Sequence, residues 1–217
     1  MTKMGVKGGM SMTTAFDVEF DFTDKPGLSF VDSFYSNDNK DVVKMLCDEA
    51  QLPNVQSATA QVTGRYLGEG PVSYPHTRVY TDVSLGFMLD ANLTALKFFS
   101  GWYDFIFGEN PRVYSGDIPT ALSETPRDTQ RINRLQFMDD YTCTAKIIKT
   151  EMTKTNKERT SEQTIAPAIY LLENCYPYSI DAVPLSYGSS QITRLTVNLY
   201  YTRHTVAYGY QDGSGSL

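Results

Sequence analysis

The chain holds little of what metal centres and proton-transfer sites are built from: two histidines, His76 and His204, and three cysteines among 217 residues. Imidazoles so few and so far apart exclude a site that needs several of them, and neither lies in a recognisable catalytic context. Cys47, Cys143 and Cys175 are odd in number, widely separated and set among strand-forming residues. That pattern fits small apolar core residues in a reducing compartment better than a disulfide framework or a zinc site. Walker, G-x-G-x-x-G, H-E-x-x-H, C-x-x-C and G-x-S-x-G motifs are all missing, and with them the usual signatures of nucleotide, zinc, dithiol and serine-hydrolase chemistry. No catalytic residue, cofactor or metal ligand is assigned, and an enzyme is not expected. No apolar run reaches the length of a membrane span, and no uninterrupted apolar stretch follows Met1, so a soluble protein without export signal or membrane binding is expected. Positive charge is also short: 19 Lys and Arg against 25 Asp and Glu leave a formal charge of −6. A general binder of nucleic acid or of anionic membrane is thereby disfavoured. Such a balance still suits a protein that stays near DNA without adhering to it.

What is present is alternation. Phe16, Val18, Phe20 and Phe22 share one face of a strand whose other face carries Asp17, Glu19 and Asp21. Residues 32–40 read as a polar connection and 42–47 as a second apolar strand, ending before Leu52-Pro53. Residues 57–75 are long, glycine-bearing and poor in core positions, which predicts an extended arm or loop used in interaction. From Arg78 to Leu89 the apolar residues are mostly two apart, and from Leu96 to Ile106 three or four apart, so a strand passes into a helix over 91–108. Asp90 or Asn92 is the expected N-cap and Gly108 the expected stop. Leu96, Phe99, Trp102, Tyr103 and Ile106 form its candidate core and subunit-interface face. Residues 110–133, with Pro111, Pro119 and Pro126, read as a surface insertion. A strand with Tyr141, Cys143, Ala145 and Ile147 inward then leads through a charged turn to a return strand over 164–172 and a loop over 173–181. In the last strand Leu195, Val197, Leu199 and Tyr201 face in, while Thr196, Asn198, Tyr200 and Thr202 face out.

These elements predict one mainly β domain over 14–208, an antiparallel sandwich or partial barrel with one flanking helix, between flexible ends at 1–13 and 209–217. Polar clusters add little chemistry. Asp139 and Asp140, read as neighbours on a strand, would point to opposite faces. The glycines of Gly64-Arg65-Tyr66-Leu67-Gly68-Glu69-Gly70 are followed by nothing helical, and Glu69 would repel a phosphate. Tyrosines such as Tyr200 and Tyr201 suit strands and interfaces as well as sugar stacking.

Taken in order, these elements resemble the tail tube proteins of contractile-tailed, myovirus-type bacteriophages. The likeness runs from Phe16, Val18 and Phe20 through Cys47 and Leu52-Pro53. It is strongest over 74–108, where a strand ends in Asp90 and a helix carries Phe99 and Trp102, and it closes with the alternating strand at 194–201. The resemblance implies six-fold rings stacked into a hollow tube inside a sheath, with strands joining a ring-wide β-barrel that conducts double-stranded DNA during ejection. Its implied partners are further copies of itself, the sheath protein, the tape measure protein, baseplate and tail terminator proteins, and DNA in transit without specific binding. Its implied location is the virion, after assembly in the host cytoplasm. On that reading Asp17, Glu19 and Asp21, or else Thr196 and Asn198, line the bore. Arg65, Tyr66, Leu67 and Glu69 meet the next ring, and Trp102, Tyr103 and Phe107 are partly interfacial. Longer 110–133 and 149–161 segments and the glycine-rich end also fit a tube-like baseplate initiator or tail terminator. The rival from another class is a carbohydrate-binding β-sandwich; an enzyme, third, would need paired carboxylates in a cleft.

Overall fold

A computed structural model describes residues 11–23, 28, 31–32, 35, 37–63, 70–107, 135–154, 162–181, 183, 185, 187–188 and 192–209. The first strand, β1 (Phe16–Asp21), keeps Val18 and Phe20 2% exposed and turns its three acids outward. It pairs antiparallel with β6 (Cys143–Lys154), and β6 in turn pairs with β7 (Glu162–Ile180). The ladder continues through β8 (Arg194–Tyr200) and β5 (Val83–Met88) to β2 (Cys47–Ala50), while β9 (Arg203–Tyr208) flanks the first part of β7. Strand β7 thus pairs with β6 and β9 along its first part and with β8 along its last. One polypeptide strand belongs to both layers of the sandwich.

The expected loop over 173–181 is therefore a strand. Asn174 takes φ 52°, a left-handed conformation that asparagine tolerates better than most residues, and the register against β6 shifts there. An extra residue is absorbed as a bulge, so the chain turns into the second layer without leaving the sheet. Pro177 and Ser179 carry a second shift against β8, where proline has no amide to give the ladder.

Two other expectations are corrected. Residues 42–47 do not form a strand: α1 (Asn37–Leu46) runs through most of them, and β2 begins only at Cys47. Val43 is 1% exposed and Met45 80% exposed, with Leu46 half-buried three residues after Val43. A short apolar cluster satisfies either period, and here the preceding polar residues extend it into a helix. Nor does one strand run from Arg78 to Leu89. It divides at Thr81 and Asp82 into β4 (Val72–Tyr80), which pairs only with β3 (Val55–Val62), and β5 in the main sheet. Gly86 on β5 accommodates the irregularity of β2, since a Cβ there would come within 3.0 Å of the Glu49 Cβ.

The helix α2 (Thr94–Ile106) closes the core. Its buried face is Ala95, Phe98, Phe99, Gly101, Trp102 and Ile106. Phe20 lies 5.8 Å from Phe98 and 5.9 Å from Trp102, ring centre to ring centre, and Phe87 lies 4.9 Å from Phe99. Asp90 supports the helix start as expected, accepting from the Thr94 amide at 2.6 Å and the Thr94 hydroxyl at 2.7 Å, although Leu93, at φ 54°, holds the cap position. The expected stop at Gly108 and the 110–133 insertion lie outside the described residues. Tyr141 ends a short helix, α3 (Met138–Tyr141), so Asp139 and Asp140 lie on a helical turn and not on a strand.

Candidate assembly surfaces

The acidic face of β1 is not bare. Lys44 on α1 brings its Nζ to 2.7 Å from Glu19 and 3.7 Å from Asp17, and Lys146 on β6 brings its Nζ to 3.0 Å from Asp21. Thr23 donates both hydroxyl and amide to Asp21, and with Lys146 these bonds draw the Asp21 carboxyl down to about 2. The hydrogen bond from Lys44 lowers Glu19 as well. A depressed carboxylate stabilises the fold above its unfolded value, near 3.8 for Asp21, and that support fades as pH falls toward about 2. Asp21→Asn should therefore lower stability at neutral pH, flatten the acid limb over this window and change little near pH 2, as measured by thermal melts at stepped pH.

Thr196 and Asn198 lie on the outer face of the other layer. Thr196 pairs with Gly86 and Asn198 with Ser84 on β5, a strip of hydroxyl, amide and glycine backbone that meets the exposed Glu49 of β2 beside Gly86. Its charges sit at the border, where Arg194 meets Asp48 at 3.2 Å. The two candidate linings lie on different parts of the sheet, one on β1 and the other on β8.

The hairpin β3–β4 leaves the body with almost no side chain buried along its length. Its register places Gln56, Val79, Ala58, Thr77, Ala60, Tyr74, Val62 and Val72 on one face, apolar toward the far end, and Val55, Tyr80, Ser57, Arg78, Thr59, Pro75, Gln61 and Ser73 on the other. The apolar face is exposed, with Val72 at 63%, Val62 at 51% and Tyr74 at 45%. Two-stranded ribbons are marginal in water on their own, and the root supplies the anchoring. Tyr80 packs 6.0 Å from Tyr201 and 5.1 Å from the buried His204, and the Thr81 hydroxyl donates to Asn54. Arg65, Tyr66, Leu67 and Glu69, expected at the tip, lie outside the described residues.

Near that root a groove of about 300 Å³ opens between α2 and the end of β7, lined by Tyr103, Tyr178, Ser179 and Ile180. Sequence periodicity had singled out Tyr103 alone of these. The Tyr178 hydroxyl donates to Asp82 beside the root, and Phe107 packs tilted against Tyr103 with ring centres 5.1 Å apart. Of the helix candidates, Phe99 and Trp102 are fully buried and Ile106 nearly so, while Leu96 and Tyr103 are half-buried on its flank and Phe107 is exposed. Trp102 is thus enclosed by its own subunit, its indole N–H donating to the Tyr141 carbonyl at 2.8 Å, and offers no face to a neighbour.

The histidines stay apart. His76 lies on the exposed arm, its ring nitrogen 2.7 Å from the Thr77 hydroxyl, whereas burial among Tyr80, Tyr170 and Tyr201 depresses His204. Among the described residues no group of three or more His, Cys, Asp or Glu is placed to hold a metal. The one N-terminal stretch described is tied down: Ser11 and the Met12 amide donate to Glu151, and Lys149 reaches the Ala15 carbonyl at 3.0 Å.

Comparison with known proteins bears on the fold and on the family. Among solved structures, the chain is similar to one from the anti-feeding prophage baseplate, symmetrised six-fold, at 12% identity over 92% of this chain and 96% of that one, with a TM-score of 0.51. It is also similar to a chain of the sheath–tube complex of an extracellular contractile injection system, at 10% identity over 96% and 98% of the chains, with a TM-score of 0.48. A third is the Hcp1 protein of an E. coli EAEC 042 pathovar, at 12% identity over 90% and 92%, with a TM-score of 0.40. At such identity the first speaks for the fold alone. No curated protein matches the sequence significantly. Residues 11–207 match the family model described as phage tail tube protein, which takes in both layers, the arm and the helix, and the chain belongs to that family.

Proposed function

We propose that this chain is the repeating subunit of an inner tail tube, closing into six-membered rings that stack within a contractile sheath and conduct double-stranded DNA during ejection. The observation that carries this reading is the arm, a paired ribbon with an exposed apolar face and no core beneath it. A subunit that remains single gains nothing from such a ribbon, whereas stacking covers it. Copies of itself are the main partner. Sheath, baseplate, terminator and tape measure proteins are the others, and the virion is its location.

The bore wall is assigned to the β5–β8 layer. Its outer face presents Ser84, Thr196 and Asn198 as neutral polar groups, whereas the β1 face has α1 beside it and lysines over its acids. A hydroxyl-rich wall with Glu49 beside it gives phosphates little to hold, which suits passage of a polyanion.

Negative-stain imaging of concentrated protein should reveal rings or tubes with an open bore. Rings that never lengthen would move the protein to a tube end, as initiator or terminator, and monomers that bind immobilised glycans would replace the reading with a carbohydrate-binding module. Virions carrying Thr196→Lys with Asn198→Lys should form tubes but eject DNA slowly, with added salt restoring the rate as lysine–phosphate contacts are screened. Slow ejection from Asp17→Lys virions instead would transfer the wall to β1.

A further inference from the structure

We infer that Cys143 and Cys175 form an oxidation site, a thiol pair that closes into a cross-strand disulfide between β6 and β7 when the protein leaves a reducing environment. Far apart in sequence, the two are brought opposite one another by the ladder, in which Cys143 is the register partner of Cys175. Opposed residues of an antiparallel pair project to the same face and lie about 4.5–5.5 Å apart at Cα, inside the roughly 4.4–6.8 Å that a disulfide spans. Both side chains belong to the core, Cys143 in line with Ala145 and Ile147 and Cys175 following Leu172, and both thiols are free. Bridging them therefore needs no slip of one strand past the other. The third cysteine, Cys47, opposes Phe87 on β2, at the far end of the sheet.

Access comes from defects in the ladder. The register shifts between Cys143 and Ala145, beside the left-handed Asn174. On its other side β7 leaves β9 at Glu173 and takes up β8 at Tyr176, so Cys175 lies between two partners. Regular pairing is interrupted on both flanks of this one residue, and an interrupted ladder opens more readily than a continuous one. A peroxide, scarcely larger than water, is the oxidant that such an opening admits.

Exposure sets the order of events, since Cys143 keeps 4% of its surface and Cys175 none. The Cys143 sulfur attacks one peroxide oxygen, the O–O bond breaks, and the departing oxygen leaves as water, so a sulfenic acid remains on Cys143. The Cys175 sulfur then attacks the Cys143 sulfur, the S–O bond breaks and a second water leaves. Two thiols and one peroxide become one disulfide and two waters, with two electrons passing from sulfur to oxygen. Closure ties a loop of about thirty residues and pins β7 just before it enters the second layer. The chain thus has a reduced form that folds and an oxidised form that resists unfolding, selected by compartment.

The test treats the full chain with hydrogen peroxide in native buffer, then denatures it, alkylates it with N-ethylmaleimide and maps the peptides by mass spectrometry. The peptides holding Cys143 and Cys175 should be joined, while Cys47 is alkylated. A dithiol reductant, which leaves methionine sulfoxide untouched, should lower the melting temperature of the oxidised protein by about 5–15 °C. Cys143→Ala and Cys175→Ala should each remove that drop, and the peptide map of the parent protein decides the matter even if neither variant folds. Alkylated Cys143 and Cys175, higher oxides on either, a bridge to Cys47, or a bridge that forms only in urea would overturn the inference. So would a melting temperature that the reductant fails to lower.

Discussion

Trp102→Ala will unfold the subunit at a denaturant concentration that leaves the parent protein intact. The indole is 0% exposed and sits 5.1 Å from Phe22 and 5.9 Å from Phe20, ring centre to ring centre. Large aromatic to alanine changes in such a setting cost about 3–5 kcal/mol, because the cavity they leave is only partly refilled. Set against the 5–15 kcal/mol typical of a domain, that loss is severe. Part of it is polar, since the Tyr141 carbonyl loses the indole N–H at 2.8 Å. Trp102→Phe separates the contributions: it keeps an aromatic ring but leaves the carbonyl unmet, for about 1–3 kcal/mol. Urea titrations of unassembled protein measure both, and a Trp102→Ala midpoint equal to that of the parent would remove the indole from the core.

Val62→Asp with Val72→Asp abolishes polymerisation without unfolding the body. These side chains are 51% and 63% exposed on the arm and touch none of the buried core, so the single subunit has little to lose. In an assembled arm each carboxylate would be buried without a partner. A penalty of only about 3 kcal/mol raises the critical concentration by about two powers of ten. Sedimentation should return single subunits with an unchanged melting temperature. Tubes at the parent's critical concentration would exclude this face from any contact.

The period-two strands were legible because each buries one face: β1 and β8 alternate in the structure as their sequences do, Val18 and Phe20 inside, Leu195, Val197 and Leu199 inside. The helix was legible in place and partly in phase, since Phe99, Trp102 and Ile106 are buried as read, while Leu96 and Tyr103 are not. Leu96 outweighs Ala95 in apolar size and was read as inward in its place, whereas Ala95 and Phe98 complete the buried stripe. The α1 helix was hidden because its apolar residues are too few to fix a period, and the Lys44 screen over Glu19 and Asp17 was hidden with it. The continuity of β7 could not be read from Glu173-Asn174-Cys175-Tyr176-Pro177, where asparagine and proline usually mark a break and here mark bulges. The arm was legible from its shortage of core residues. The groove was not, because Tyr103, Tyr178 and Ile180 are brought together by packing across the fold and share no local pattern.

The nineteen-residue β7 also governs how the subunit bears load. Two stacked layers held only by side-chain packing slide apart under tension, because nothing covalent crosses between them. Here one backbone passes through both, so a pull along it is carried by peptide bonds and by rows of ladder hydrogen bonds loaded side by side. Rupture then begins by peeling at β1 or β2, the strands that end the sheet, while the seam between layers stays closed. Under such a pull, strength lies in that shared strand more than in the core it encloses.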